Sequence, residues 1–212
     1  MSIRTILFDL DGTLIDTNEL IIASFTHTLN QYFPDKYSRE EILEFIGPPL
    51  KDSFEKVLPD KVEEMIGVYR EHNLHHHDSF VKAYDGVFET MKQLKEEGYQ
   101  IAIVTTKISE TAKRGLAVTN LADYFDVIIG LDHVTHAKPH PEPIIRALEA
   151  FNGKASETLM VGDNSHDILA GKNAGVKTAG VAWTIKGREA LEKLNPDYML
   201  EHISDLWKIV GK

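Results

Sequence analysis

Short apolar runs alternate with longer amphipathic stretches along most of the chain, and no other feature constrains the fold as much. Ile6-Leu7-Phe8, Ile101-Ala102-Ile103-Val104, Val127-Ile128-Ile129, Leu159-Met160-Val161 and Ala179-Gly180-Val181-Ala182 are too short for helices. They are apolar at every position, as strands buried on both faces are. Between them, residues 85–97 place Val87, Met91 and Leu94 on one helical face with Gly98 as a stop. Residues 143–151 repeat the pattern with Ile144, Ala147, Leu148 and Phe151. This alternation predicts an α/β fold, a doubly wound parallel sheet with helices on both faces.

The alternation fails once, between Ile15 and Tyr84, where the spacing is helical throughout. Ile21, Ile22, Phe25 and Leu29 form one stripe, and Val62, Met65, Ile66 and Tyr69 form another. Ser38 and Glu41 make a capping box ahead of Ile42, Phe45 and Ile46. The expected organisation is therefore a core of residues 1–14 and 85–212 with an all-helical cap, 15–84, inserted after the first strand. The run His75-His76-His77 falls in the polar return of that cap and is expected to be solvated.

Composition removes several function classes. Asp plus Glu number 33 against 23 Lys plus Arg, a net charge of −10, which disfavours nucleic acid as a partner. The absence of cysteine excludes disulfides, zinc–thiolate sites, iron–sulfur clusters and a thiol nucleophile. No apolar run approaches the roughly 18 residues of a membrane span. Met1-Ser2-Ile3-Arg4 runs straight into a strand, so the expectation is a cytoplasmic protein that acts on a small molecule without a membrane partner.

Four elements carry chemistry. Asp9-Leu10-Asp11-Gly12-Thr13 follows the first strand, and side chains at i and i+2 of extended chain point the same way. Both carboxylates can thus face one site where open α/β sheets bind ligands. Gly162-Asp163-Asn164-Ser165-His166-Asp167 follows another buried strand. Its carboxylates at Asp163 and Asp167 can hold a hard cation such as Mg2+, or its first residues can cap the next helix. Thr105-Thr106 ends a strand with hydroxyls and free N–H groups suited to phosphate oxygens, and Lys138 before Pro139 can neutralise a phosphoryl group. Each is weak alone; a parallel sheet would deliver all four to one crevice.

In this order the motifs resemble the haloacid dehalogenase (HAD) superfamily, from Thr5 to about Val210, including the helical cap after the first motif. The resemblance implies a Rossmann-like core and phosphoryl chemistry. In it, Asp9 attacks phosphorus, Asp11 serves as general acid and then base, and Thr105 and Lys138 hold the phosphoryl group. It also implies Mg2+ held by Asp9, the Asp11 main-chain carbonyl and Asp163, with Asp167 in support. The scheme makes physical sense, because a phosphoryl dianion repels a carboxylate until cations cancel the repulsion.

Asp16-Thr17-Asn18-Glu19-Leu20-Ile21, Phe45-Ile46-Gly47-Pro48-Pro49-Leu50, Val181-Ala182-Trp183-Thr184-Ile185-Lys186-Gly187 and Pro196-Asp197-Tyr198-Met199-Leu200 are similar to the HAD-type inorganic pyrophosphatases. That narrower likeness implies hydrolysis of pyrophosphate to two orthophosphates. The competing enzymatic reading is a phosphatase of phosphoglycolate or another small phosphomonoester. A β-phosphoglucomutase is disfavoured because its cap-loop histidine is missing after Asp16-Thr17, and a phosphonatase because no lysine lies between Met1 and Pro34. A silent phosphate-sensing or partner-binding module would not need an acid beside a nucleophile. Substrate binding is expected from Thr106 and from the cap segment 45–51, with Lys51 as its cation and Lys107 and Asn18 next in order. The loop reads Lys138-Pro139-His140-Pro141 where Lys-Pro-Asp-Pro is the commoner wording, and loss of the aspartate is expected to cost a helix cap of about 1 kcal/mol.

Overall fold

The computed structural model describes residues 2–211. The chain runs β1 (Thr5–Phe8), β2 (Ile15–Asp16), α1 (Asn18–Tyr32), α2 (Arg39–Leu43), α3 (Leu50–Glu55), α4 (Val62–Phe80) and β3 (Lys82–Ala83). It continues α5 (Val87–Glu96), β4 (Gln100–Val104), α6 (Ser109–Val118), β5 (Val127–Ile129), α7 (Glu142–Phe151) and β6 (Thr158–Gly162). The last elements are α8 (Ser165–Asn173), β7 (Lys177–Val181), α9 (Arg188–Glu192), β8 (Tyr198–Leu200) and α10 (Trp207–Val210). Six strands form one parallel sheet in the order β5-β4-β1-β6-β7-β8.

Alternation along the strands decides which helices they meet. Ile6, Phe8, Ile101, Ile103, Leu159 and Val161 pack with Val87, Met91 and Leu94 of α5 and Leu116 of α6. Leu7, Ala102, Val104 and Met160, one residue out of phase, pack instead with Ile144 and Ala147 of α7 and Ala170 of α8. The sheet is thus covered on both faces, as the apolar runs require. Fully burying one such Leu, Ile or Phe contributes about 1.5–3 kcal/mol, so both faces resist polar substitution.

The helical stretch has a core of its own, built from Ile22, Phe25, Leu29, Ile42, Phe54, Met65 and Ile66. Its stripes are those of the sequence, and the Ser38–Glu41 capping box forms at the start of α2. Two short strands were not legible in the spacing. Ile15 and Asp16 pair antiparallel with Ala83 and Lys82, so the chain leaves and re-enters the sheet region through one ribbon. Two residues per strand are too few for a period of two to show. β8, likewise, is only Tyr198–Leu200.

The histidine run requires a correction. It lies inside α4, and His77 is fully buried, with its Nδ1 2.9 Å from Asp78 Oδ1 and its Nε2 without a hydrogen-bond partner. Tyr69, Asn73 and His77 recur every fourth residue and share the buried face of the helix. Burial holds the His77 imidazole below its ordinary range, in its neutral form. Among the described residues no helix is long and apolar enough to cross a membrane.

Candidate active site

Asp9 stands one residue beyond β1, where its N–H still donates to Val161 O at 2.9 Å. It keeps the phase of Leu7, and its side chain meets groups from the α7 and α8 side of the sheet. Lys138, in the loop before α7, donates from Nζ to Asp9 Oδ1 at 2.7 Å, Asp167 Oδ1 at 2.6 Å and Val104 O at 2.8 Å. Three acceptors satisfy the ammonium, which is only 3% exposed. Burial alone would push Lys138 down, but the charges of Asp167 and Asp9 hold it above its ordinary range.

Asp163 completes the group. Carboxylate oxygens of Asp9, Asp163 and Asp167 lie within 4.8 Å of one another, all buried. Burial raises Asp9 to about 7, against the pull of Lys138, and burial with the charges of Asp9 and Asp167 raises Asp163 well above the carboxylate range. Three carboxylates against one ammonium leave a surplus of negative charge in a desolvated place. The donor set is all oxygen, which suits a hard divalent cation. Gly12 permits the approach: its φ is +80°, and a Cβ there would lie 2.4 Å from Asp163 Oδ2.

Asp167 serves a structural bond as well. Its Oδ2 accepts the Asn164 N–H at 3.0 Å, closing a capping box with Asn164 at the start of α8. Helix capping and a place in the carboxylate cluster, which the sequence left as alternatives, coexist in this loop.

Asp11 lines the same cavity but is held by other groups. Its Oδ1 accepts from Lys107 Nζ at 2.8 Å and from Thr17 Oγ1 at 2.7 Å. Thr105 is buried and accepts the Lys107 N–H at its Oγ1, 3.1 Å away. Thr106 Oγ1 instead donates to Gly47 O at 3.1 Å, joining the strand end to the helical stretch above. Lys51 lines the cavity, but its side chain is 64% exposed and its amine lies 3.7 Å from Glu55. Asn18 bonds Tyr84 OH at 3.1 Å, at the ribbon where the helical stretch joins.

Two residues that sequence reasoning passed over close the cavity. Asn164 Nδ2 and Lys186 Nζ both donate to Ile46 O, at 3.1 and 2.7 Å. Together with Thr106 they fasten two consecutive carbonyls, Ile46 and Gly47, to the core. Gly47 has φ +110°, and a Cβ there would fall 2.2 Å from Asn164 Nδ2. Burial depresses the Lys186 amine. No local signal marks Asn164 or Lys186 as partners of residue 46, since their bonds span 118 and 140 positions.

The enclosed volume is about 200 Å³. Asp9, Asp11, Lys138 and Asp163 line it below, and Phe25, Phe45, Ile46, Leu50, Ile66 and Tyr69 line it above. At the start of α7 the cap position is Pro141, with no side-chain cap, and the Glu142 N–H donates to His140 Nδ1 at 3.2 Å.

The class defined here is a doubly wound α/β core that carries a buried carboxylate and lysine at the carboxyl edge of its sheet, beneath a helical layer. The family described as haloacid dehalogenase-like hydrolase matches residues 6–181, and the chain belongs to that family. Pyrophosphatase PpaX of Anoxybacillus flavithermus is 60% identical over 211 residues, covering 100% of this chain and 98% of that protein. Pyrophosphatase PpaX of Halalkalibacterium halodurans is 56% identical over the same shares. Among solved structures, a haloacid dehalogenase-like family hydrolase from Streptococcus pneumoniae matches with a TM-score of 0.86 at 26% identity, covering 97% of each chain. A predicted phosphatase from Clostridium acetobutylicum matches at 0.88 and 29% identity, covering 98% of each.

Proposed function

We propose that this hydrolase cleaves inorganic pyrophosphate to two orthophosphates, with residues 15–84 as the cap that closes over the substrate. The observation that carries the reading is the full-length 60% identity to a pyrophosphatase, set on a crevice in which Lys138 joins Asp9 and Asp167. A volume of about 200 Å³ is below the 300–1,000 Å³ typical of sites for larger ligands and suits a small anion.

Asp9 attacks one phosphorus, its carboxylate oxygen forming the P–O bond while the bridging oxygen leaves with the other phosphate. Asp11 protonates that oxygen; Lys107 and Thr17 both bond its Oδ1, which leaves Oδ2 for the transfer. The deprotonated Asp11 then takes a proton from water, which attacks the aspartyl-phosphate and restores Asp9. Lys138 keeps Asp9 in place and offsets charge on the transferred group, and Thr105 offers it a hydroxyl. Asp9, the Asp11 carbonyl and Asp163, supported by Asp167, would hold Mg2+. Bound there, Mg2+ supplies the positive charge that lets an anionic nucleophile approach a phosphoryl group. The apolar roof excludes bulk water while this happens.

Phosphate release from pyrophosphate and phosphoglycolate, measured in parallel in Mg2+, tests the reading. A higher kcat/KM on pyrophosphate is expected; preference for phosphoglycolate would replace it with the monoesterase.

A further inference from the structure

On the water-facing side of the Lys138 loop, two imidazoles and a carboxylate converge. His136 and His140 are exposed, with ring centroids 4.5 Å apart and planes at 32°. Donor atoms from His136, His140 and Glu142 all lie within 4.8 Å of one another. We propose that these three residues form a second metal site, for a borderline divalent transition ion of the Zn2+ type, separate from the carboxylate cluster around Asp9.

The donor chemistry sorts the ions. Two imidazole nitrogens and one carboxylate oxygen are a set that Zn2+ takes with water as fourth ligand, whereas Mg2+ keeps to oxygen. Ligands of a tetrahedral Zn2+ at 2.0–2.1 Å stand about 3.4 Å apart, a spacing that donors already within 4.8 Å of one another reach by small side-chain rotations. Exposed imidazoles can turn that far.

The carboxylate is already fixed. Glu142 Oε1 accepts the Thr135 N–H at 3.0 Å, and Oε2 accepts the His136 N–H at 2.9 Å and the ring Nδ1–H at 3.0 Å. The Thr135 bond first, then those of His136, hold Glu142 down at about 2, so it is charged throughout the neutral range. His140, the residue at which this loop departs from the Lys-Pro-Asp-Pro wording, is the one that adds the second nitrogen.

Position gives the site a consequence. Lys138 and Pro139 lie between His136 and His140, so an ion here ties together both ends of the segment that carries Lys138 to Asp9. Binding stabilises the native fold by mass action and raises its melting temperature.

The test is calorimetric titration of the untagged chain with ZnCl2 in excess Mg2+, with thermal melts alongside. A single Zn2+ equivalent and a raised melting temperature are expected. His136→Ala and His140→Asp should each weaken binding by about 10–100-fold or more, the loss that even an outer-shell change costs, and keep Mg2+-dependent turnover; the aspartate still offers the Glu142 N–H an acceptor. Absence of Zn2+ binding in excess Mg2+ overturns the proposal, as does unchanged binding in the double variant. Loss of binding in Asp163→Asn, or in His27→Gln/His76→Gln, whose rings flank His72 at 4.5 and 4.6 Å between centroids, with the loop histidines intact, would also overturn it. All of these readouts are independent of which phosphorylated compound is the substrate.

Discussion

The floor and the roof of the cavity are made of different material. The floor concentrates Asp9, Asp163, Asp167 and Lys138 in a buried patch at the sheet's edge, while the roof is mainly apolar, with Phe25, Phe45, Ile46, Leu50, Ile66 and Tyr69 interrupted by Lys51, Arg70 and Asn73. Charge is needed where phosphorus is attacked, and an apolar lid makes each charge act more strongly by removing water. The two halves are joined through main-chain carbonyls, Ile46 O and Gly47 O, held by Asn164, Lys186 and Thr106. Closure therefore depends on backbone shape more than on the roof's side chains.

Asp9→Asn breaks the floor outright. An amide cannot attack phosphorus, so turnover should fall below about a thousandth of wild type while circular dichroism stays unchanged. Measurable residual activity, with deamidation excluded by mass spectrometry, would remove Asp9 as nucleophile. Asp11→Asn removes proton transfer, and kcat should fall by about 10²–10⁴. A variant that still hydrolysed pyrophosphate at near its normal kcat would dismiss the acid.

Gly47→Ala attacks the joint between the halves. The new methyl meets Asn164 at a φ that disfavours side chains, and strain of about 1–3 kcal/mol should lower kcat/KM roughly 10–100-fold. Wild-type kinetics in this variant would show that the roof closes without the clasp, and the comparison would fail at its hinge.

The floor's surplus charge has a signature in stability. Asp9 is raised in the folded state to about 7 from an ordinary 3.8, so between those values the native state binds more protons than the unfolded one. Its contribution is full below pH about 4 and is lost as pH rises through about 7. Asp163 shifts in the same direction. His72, His77 and His166 are all shifted down and work the opposite way around their ordinary 6.5, so the contribution of Asp9 is isolated by comparison with Asp9→Asn. In EDTA the melting temperature of wild type relative to Asp9→Asn should fall from pH 6.5 to 8, and excess Mg2+ should flatten the slope. A relative melting temperature that rises over this interval would contradict the charged floor.

Lys51→Ala is the mildest test. Its exposed amine stands by Glu55, and an exposed pair is worth about 0–1 kcal/mol. The kcat/KM on pyrophosphate should drop by less than about tenfold. A larger loss confined to pyrophosphate would give this roof cation a direct part in binding and blur the division between the halves.

Much of the fold was legible because parallel strands buried on both faces leave apolar runs that nothing else in a polar chain imitates. The helical stretch showed itself by stripes such as Ile22, Phe25 and Leu29, and the box at Ser38 and Glu41 by its spacing. His77 was misplaced because a polar residue among histidines looks solvated until the helix face is known. The two-residue strands at Ile15 and Lys82 gave no periodicity at all.

By itself the sequence determined the sheet and the inserted helices through local spacing, and through the resemblance of its motifs it pointed to Asp9, Asp11, Thr105, Lys138 and Asp163 as one group. Only the tertiary structure decided that Lys107 meets Asp11, that Lys138 spans Asp9 and Asp167, and that Asn164 and Lys186 hold Ile46. Those bonds join residues 29 to 140 positions apart. A hydrogen bond depends on distance and direction in space, and chain spacing carries neither once the backbone has turned back on itself.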